Sequence, residues 1–204
     1  MNKLYICGAS GHGKVVWDIA RLNGYTDIEF LDKNSDIKEI MGCKVAGDET
    51  IAYSHPDADF FVAIGNAAIR RRITEDFISH GLNVITLIHP NAVIAEGVEI
   101  GLGTAVMAGA IINPDTRVGK GCIINTASSL DHDNAIGDYC HISIGAHLAG
   151  TVTIGDSTWV GAGATVSNNI NICSDVMIGA GAVVVNDITE AGTYIGLPAK
   201  RKSN

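Results

Sequence analysis

The sequence predicts a mixed fold: a small α/β domain with a Rossmann-like parallel sheet over residues 1–87, then a column of stacked β-coils over residues 88–204. Three observations carry this. From Ile88 to Val184 every sixth residue is Ile, Val or Leu, 17 positions without a gap. Ahead of Ile88 the rhythm changes to short apolar runs alternating with helical patterns, as in strand–helix–strand units. Finally, 24 of the 204 residues are glycine, about 12% against a usual ~7%. Only 5% are aromatic, which suits many tight turns and small side chains.

In chain order, Lys3–Cys7 is an apolar run that ends in Gly8-Ala9-Ser10-Gly11-His12-Gly13. Helical spacing follows through Val15, Val16, Ile19, Ala20 and Leu22 up to Gly24. A second apolar run, Ile28–Leu31, is closed by Asp32, and a third, Phe60–Ile64, by Gly65-Asn66. A helix is expected over Ala67–His80, stopped by Gly81, and a strand over Asn83–Ile88. Ligands of such sheets sit beyond the carboxyl ends of the strands. Gly8–Gly13, Asp32-Lys33 and Gly65-Asn66 all fall there. A glycine-rich turn opening a helix offers backbone N–H groups and a positive dipole end to a phosphate, and Asp32 can accept hydroxyls of a ribose or sugar. Gly8 to Lys14 has P-loop spacing, but Val15 stands where Mg²⁺ needs a hydroxyl. Nor is the order that of a dinucleotide fingerprint, whose two halves need more than about 85 residues. A tight turn without ligand is the plain alternative.

A period of six fits no helix, but it suits a short strand plus a bend. One aliphatic residue per hexad points inward. The position four residues later is nearly always small or β-branched, as at Ala110, Thr116, Ser128 and Ala146. Glycine often follows the aliphatic residue, as at Gly101, Gly119 and Gly137, and is read as freeing the backbone at the bend. Coils stacked ~4.8 Å apart then bury a continuous column.

Net charge is −8, and no basic run exceeds Arg70-Arg71-Arg72, which argues against a nucleic-acid surface. No apolar stretch reaches the ~18 residues of a spanning helix, and the N-terminus lacks an apolar secretory segment. The five cysteines are scattered without metal spacing and read as reduced thiols. A cytoplasmic location is expected.

The hexad resembles the repeat of left-handed parallel β-helix acyltransferases, in which three hexads make an 18-residue coil. On that resemblance the chain holds five to six coils, and Cys122 and Cys140, one coil apart, stack inward as small core residues. The stretches YICGASGHGKV, EFLDK, FVAIGNAAIRRRI, SLDHDNAIGDYCHISIGAHLAG and YIGLPAKR make the whole chain similar to the sugar-nucleotide N-acetyltransferases of the bacillosamine and perosamine pathways and to their sialic-acid O-acetyltransferase relatives. The resemblance implies acetyl-CoA-dependent N-acetylation of a UDP- or GDP-linked 4-amino-4,6-dideoxy sugar, with sugar O-acetylation as the alternative. It implies direct transfer, no metal, and a homotrimer with active sites between subunits. It puts Ser10, Gly11, His12, Asp32, Lys33 and Gly65 at the nucleotide sugar. His141, Gly150, Ala162 and Ala180 fall at acetyl-CoA, and the basic pair Lys200-Arg201 falls toward its phosphates.

Among seven histidines, His55 and His80 read as solvated and His89 as structural. His132-Asp133 puts a base beside a carboxylate. Acetyl transfer from a thioester needs a base for the attacking group's proton, and the carboxylate favours the imidazolium that forms. His132 is therefore the expected base and Asp133 its partner, although relatives often carry the longer Glu there. His147 reads as exposed or as a support. Two rival classes remain. One is a zinc hydro-lyase on the same coil, for which His141 and His147, at successive corners, would need a ligand from a neighbouring chain. The other is a non-catalytic sugar-nucleotide-binding scaffold.

Overall fold

The computed structural model describes residues 2–202. Two compact units divide the chain, Met1–Pro90 and Asn91–Asn204, so the boundary lies just beyond residue 87. Asn23 Nδ2 donates to the Ile88 carbonyl at 2.9 Å, which ties the first hexad residue to the α/β unit.

In the first unit, β1 (Leu4–Cys7), α1 (Gly11–Leu22), β2 (Ile28–Leu31), β3 (Glu39–Ile40), β4 (Cys43–Gly47), a 3₁₀ turn (Glu49–Ser54), β5 (Asp59–Val62), α2 (Ala67–Ser79) and β6 (Asn83–Val84) follow in order. The sheet order is β3-β4-β2-β1-β5-β6. Cys7 pairs in parallel with Leu31 on one side and Val62 on the other, so three apolar strands end level with one another. Both helices form where the 3.6-residue spacing places them. The buried face of α1 is Gly13, Val16, Ile19 and Ala20, whereas Val15 and Leu22 face outward, 42% and 53% exposed. The hairpin β3–β4, antiparallel, has no counterpart in the sequence reading, because such short strands of mixed polarity carry no period-two signal. The single strand expected over 83–88 is two short ones, Asn83–Val84 and Leu87–Ile88.

Two glycines fix how closely α1 approaches the sheet. A Cβ at Gly13 would collide with the Gly8 carbonyl oxygen, and one at Gly8 (φ +116°) would lie 2.6 Å from the Ala63 carbonyl oxygen.

The second unit is a parallel β-helix. Strand pairs recur 18 residues apart on three sheets, as in Ile123↔His141↔Trp159, Ser129↔His147↔Thr165 and Arg117↔Ala135↔Thr153. The aliphatic hexad residues fill the interior: Val106, Ile112, Ile124 and Ile142 are fully buried. So are Cys122 and Cys140, stacked one coil apart.

The bends are not where the sequence reading put them. Positive φ recurs every sixth residue from Gly97 to Gly181, through Asp115, Ala127, Asp133, Tyr139, Thr151 and Asn169. That position lies three residues after the aliphatic one. The glycines directly after the aliphatic residue serve close stacking instead: a Cβ at Gly101 would sit 2.5 Å from the backbone of Gly119 in the next coil. Beyond the coils, Gly192–Ile195 continues one sheet in parallel and Lys200–Arg201 returns antiparallel. Among the described residues no helix is long and apolar enough to cross a membrane.

Candidate active site

At the carboxyl ends of β1, β2 and β5 the first unit holds a cavity of about 240 Å³. Its floor is Cys7, Leu31, Ile64 and Ile73, and Ser10, Asp32, Lys33 and Gly65 stand around it. Ser10 is the N-cap of α1, yet its side chain makes no capping bond, so hydroxyl and helix terminus both remain available to an anion. Asp32 is more committed than expected. Its Oδ2 accepts from Ala9 N at 2.8 Å and its Oδ1 from Asn34 N at 2.9 Å, so the carboxylate first ties the glycine loop to the end of β2.

Gly11 and His12 are not in the lining. Gly11 opens α1, with empty space where a Cβ would go. His12 is half-buried; burial and the neighbouring Arg70 guanidinium push its pKa down to about 4, which keeps the ring neutral. Its Nε2 is buried without a hydrogen-bond partner. Glu49, Ile69 and Arg72 line the cavity too, and sequence reasoning missed them. Arg72 read only as part of a basic run. For Glu49 the available signal was Asp48, whose carboxylate accepts from Thr50 N at 3.0 Å and caps the 3₁₀ turn.

In the second unit His132 follows the strand Ser129–Leu130, and Asp133 occupies a left-handed corner at φ +59°. That conformation lets the shorter carboxylate reach: Asp133 Oδ2 lies 2.7 Å from His132 Nδ1. Asp131 Oδ1 accepts from His132 N and from Asn113 Nδ2, each at 2.9 Å. Behind the corner, Thr116 Oγ1 donates to the Asp131 carbonyl at 2.7 Å and receives Asn134 N at 3.2 Å. The Asp133 contact, helped by Asp131, raises the pKa of His132. With Nδ1 on the carboxylate, Nε2 is the ring nitrogen left open on an exposed side chain, beside Gly150. Such a pair can take a proton from an attacking group and return it to a leaving group.

A second cavity, of about 400 Å³, brings together His141, Ala162 and Ala180 with Asn125, Trp159 and Met177. His141 stacks on Trp159 at 4.9 Å and its Nε2 meets Asn125 Nδ2 at 3.0 Å. Asn125 Oδ1 accepts from Thr126 N at 2.8 Å, which fixes the amide so that its NH₂ faces the imidazole. Gly150 lies outside this cavity and against His132 instead. His141 and His147 lie in strands of different sheets rather than at corners, and His147 Nδ1 contacts Ser129 Oγ at 2.8 Å. Among the described residues no group of three or more His, Cys, Asp or Glu is placed to hold a metal. Arg201 is engaged within the tail, donating to Glu190 at 2.6 Å.

Stacked hexads with a histidine–carboxylate corner, preceded in the chain by a parallel α/β unit with a phosphate-type loop, define a class: hexapeptide-repeat acyltransferases with an N-terminal ligand-binding domain. Comparisons narrow it. The sequence model of the PglD N-terminal domain matches residues 3–77. The acetyltransferase domain of PglB from Neisseria gonorrhoeae FA1090, solved with acetyl coenzyme A, is 40% identical, covers 98% of this chain and 99% of its own, and superposes with a TM-score of 0.95. PerB from Caulobacter crescentus, solved with CoA and GDP-perosamine, is 36% identical over 100% of this chain and 98% of its own, with a TM-score of 0.94. The UDP-N-acetylbacillosamine N-acetyltransferase of Bacillus subtilis (strain 168) is 37% identical over 114 residues, 53% of this chain. That match spans about half, 52%, of the Bacillus relative's own length. The chain belongs to the family of bacillosamine and perosamine N-acetyltransferases.

Proposed function

We propose that this protein transfers the acetyl group of acetyl-CoA to the amino group of a nucleotide-linked amino sugar. The observation that carries this is the His132–Asp133 pair, whose Nδ1–carboxylate contact of 2.7 Å leaves Nε2 for the acceptor. The neutral amine attacks the thioester carbonyl carbon, a C–N bond forms, and the C–S bond then breaks. His132 takes the proton the amine loses and returns it to the departing CoA thiolate; Asp133 stabilises the imidazolium in between.

Lys33, Ser10 and the N-terminus of α1 bind the diphosphate, with Gly11 allowing close approach and Gly65 and His12 bordering the sugar nucleotide. His141, Ala162 and Ala180 seat the pantetheine arm, where small side chains leave the backbone of successive coils open to it. Two relatives support these ligands by their own complexes, with acetyl coenzyme A and with CoA and GDP-perosamine. The assembly is a homotrimer, three triangular prisms around one axis, and the reaction runs in the cytoplasm.

The test is a thiol-release assay with acetyl-CoA against UDP- and GDP-linked 4-amino sugars, the product's amide checked by mass. Release of CoA without an amide product, or no release with any amino sugar, overturns the reading. Light scattering at micromolar concentration tests the trimer.

A further inference from the structure

Resting on the reading of the second cavity as the seat of the acyl-CoA, we propose that Asn125 is its end wall and restricts the transferred group to acetyl. The cavity is a groove along the coil axis. On one sheet the residue that follows each inward aliphatic is, coil by coil, Met107, Asn125, Ser143, Gly161 and Gly179. Side chains in this row shrink step by step. Coil stacking keeps its upper part bare, since a Cβ at Gly161 would lie 2.5 Å from the Ile178 carbonyl oxygen. Above Gly179 the row ends at Ile195, 46% exposed and outside the lining. At the other end Asn125 is the last residue to line the cavity, and Met107 is buried beneath it, 1% exposed. From Asn125 to Gly179 the groove covers three coil steps, roughly 14 Å at ~4.8 Å each. A chain lying along it has room above and none below Asn125.

The wall is held in place. Asn125 Oδ1 accepts from Thr126 N at 2.8 Å, and Nδ2 meets His141 Nε2 at 3.0 Å. Swinging the amide aside breaks both contacts and uncovers the imidazole. Met107 beneath is itself packed, with Thr126 Oγ1 4.0 Å from its Sδ. A wall fixed in this way rejects a longer acyl chain, because an added methylene must displace a packed side chain or turn into water.

The height of the proposed base decides which end takes the acyl group. Ile124 and Ile142 pair in register one coil apart, and His132 lies in the turn of chain between them. It is therefore level with the Asn125 end and 48 residues, more than two coils, below Ala180. In a trimer of parallel prisms, rotation about the axis preserves height, so this holds whichever subunit supplies the base. The thioester carbon has to meet the attacking nitrogen at that height. Acyl carbons beyond it then point at Asn125, while the pantetheine arm climbs past Ala162 and Ala180, both exposed beside the bare part of the row.

The experiment is calorimetry of acetyl-CoA, propionyl-CoA and butyryl-CoA on the full chain without amino sugar. Butyryl-CoA is expected to bind at least about tenfold more weakly than acetyl-CoA, the low end for extra methylenes against a pocket wall, with propionyl-CoA between them. Asn125→Ala opens the wall and is expected to shift the butyryl-to-acetyl affinity ratio about tenfold or more toward butyryl. Asn125→Leu keeps the bulk and loses both polar contacts, so acetyl-CoA weakens while the ratio stays as in wild type. A purely hydrogen-bonding or structural role moves the two variants alike. Butyryl-CoA binding wild type as tightly as acetyl-CoA, or equal ratios in Asn125→Ala and Asn125→Leu, overturns the inference. Ala180→Trp, which fills the groove higher up, separates it from the reading it rests on. If that variant still weakens every ester, the cavity seats CoA without Asn125 as its wall; if it weakens none, both readings fall.

Discussion

The imidazole of His132 occupies the space that a side chain on Gly150 would need: a Cβ there comes within 2.6 Å of His132 Cε1 and 2.7 Å of Nε2. Gly150 is thus tied to the proposed base rather than to the cavity that gathers His141, Ala162 and Ala180. Its backbone lies outside the left-handed region, so alanine is tolerated conformationally. Its own carbonyl accepts from Asn169 N in the next coil at 3.0 Å. Because the His132 side chain is exposed, the ring yields and the coil stays intact. Gly150→Ala is expected to lower kcat about tenfold to a hundredfold through misplacement of the base, with a melting temperature within ~2 °C of wild type. A large drop in melting temperature would instead make Gly150 a structural glycine.

The glycines of the N-terminal loop separate in the same way. Gly11 has empty space around a built Cβ, whereas Gly13 meets the Gly8 carbonyl. Gly11→Val is expected to keep the fold and weaken nucleotide-sugar binding by blocking phosphate approach, leaving acetyl-CoA affinity unchanged. Gly13→Ala is expected to destabilise the first unit by several kcal/mol, the range of overpacking and strain. Thermal melting and calorimetry on both variants check this. Equal loss of both ligands in Gly11→Val would mean misfolding rather than a blocked site.

Much of this was legible in the sequence because the β-helix repeats one local rule. An aliphatic residue every sixth position can be read without knowing any contact; the inward stacking of Cys122 and Cys140, which the resemblance implied, is seen in their full burial. The bends were less legible. Asp115, Ala127, Tyr139 and Thr151 hold positive φ although only some of these residue types favour it, so stacking of neighbouring coils overrides local preference. In the first unit the strand–helix alternation located the cavity through Ser10, Asp32, Lys33 and Gly65. Glu49 and Arg72 escaped notice because 23 residues separate them, and only the packing of the 3₁₀ turn on α2 joins them. That Asp133 reaches His132 goes with the positive φ of its corner, a bend that the sequence reading places elsewhere in the hexad.

His141 is held from two sides, by the Trp159 ring at 4.9 Å and by Asn125 at 3.0 Å. Trp159 is itself anchored, with Nε1 donating to Ser143 Oγ at 2.5 Å. An aromatic pair of this kind contributes about 0.5–1.5 kcal/mol beyond its buried area. Trp159→Ala is therefore expected to raise KM for acetyl-CoA roughly 2- to 10-fold, with kcat little changed. Trp159→Phe keeps the stack and should recover most of the affinity. A fall in kcat at unchanged KM would assign Trp159 to the chemical step instead.

The pH dependence of turnover tests the base directly. Asp133, with help from Asp131, raises the His132 pKa above its ordinary 6.5, so more of the ring is imidazolium at neutral pH than in an unperturbed histidine. Only the neutral ring accepts a proton, so kcat/KM is expected to climb with pH through that raised value. Asp133→Asn withdraws the main cause of the shift. The acidic limb should then move to lower pH, toward 6.5, while the plateau falls because the imidazolium formed during attack loses its carboxylate. His132→Ala should remove the limb and cost about 10²–10⁴ in kcat, with nucleotide-sugar affinity unchanged because the loss lies in the transition state. Any limb set by the acceptor amine, which reacts only when unprotonated, should survive in both variants and so separates enzyme from substrate. A His132→Ala enzyme with near wild-type turnover would sink the assignment, and a limb that stays in place in Asp133→Asn would leave His132 as base but remove Asp133 from its tuning.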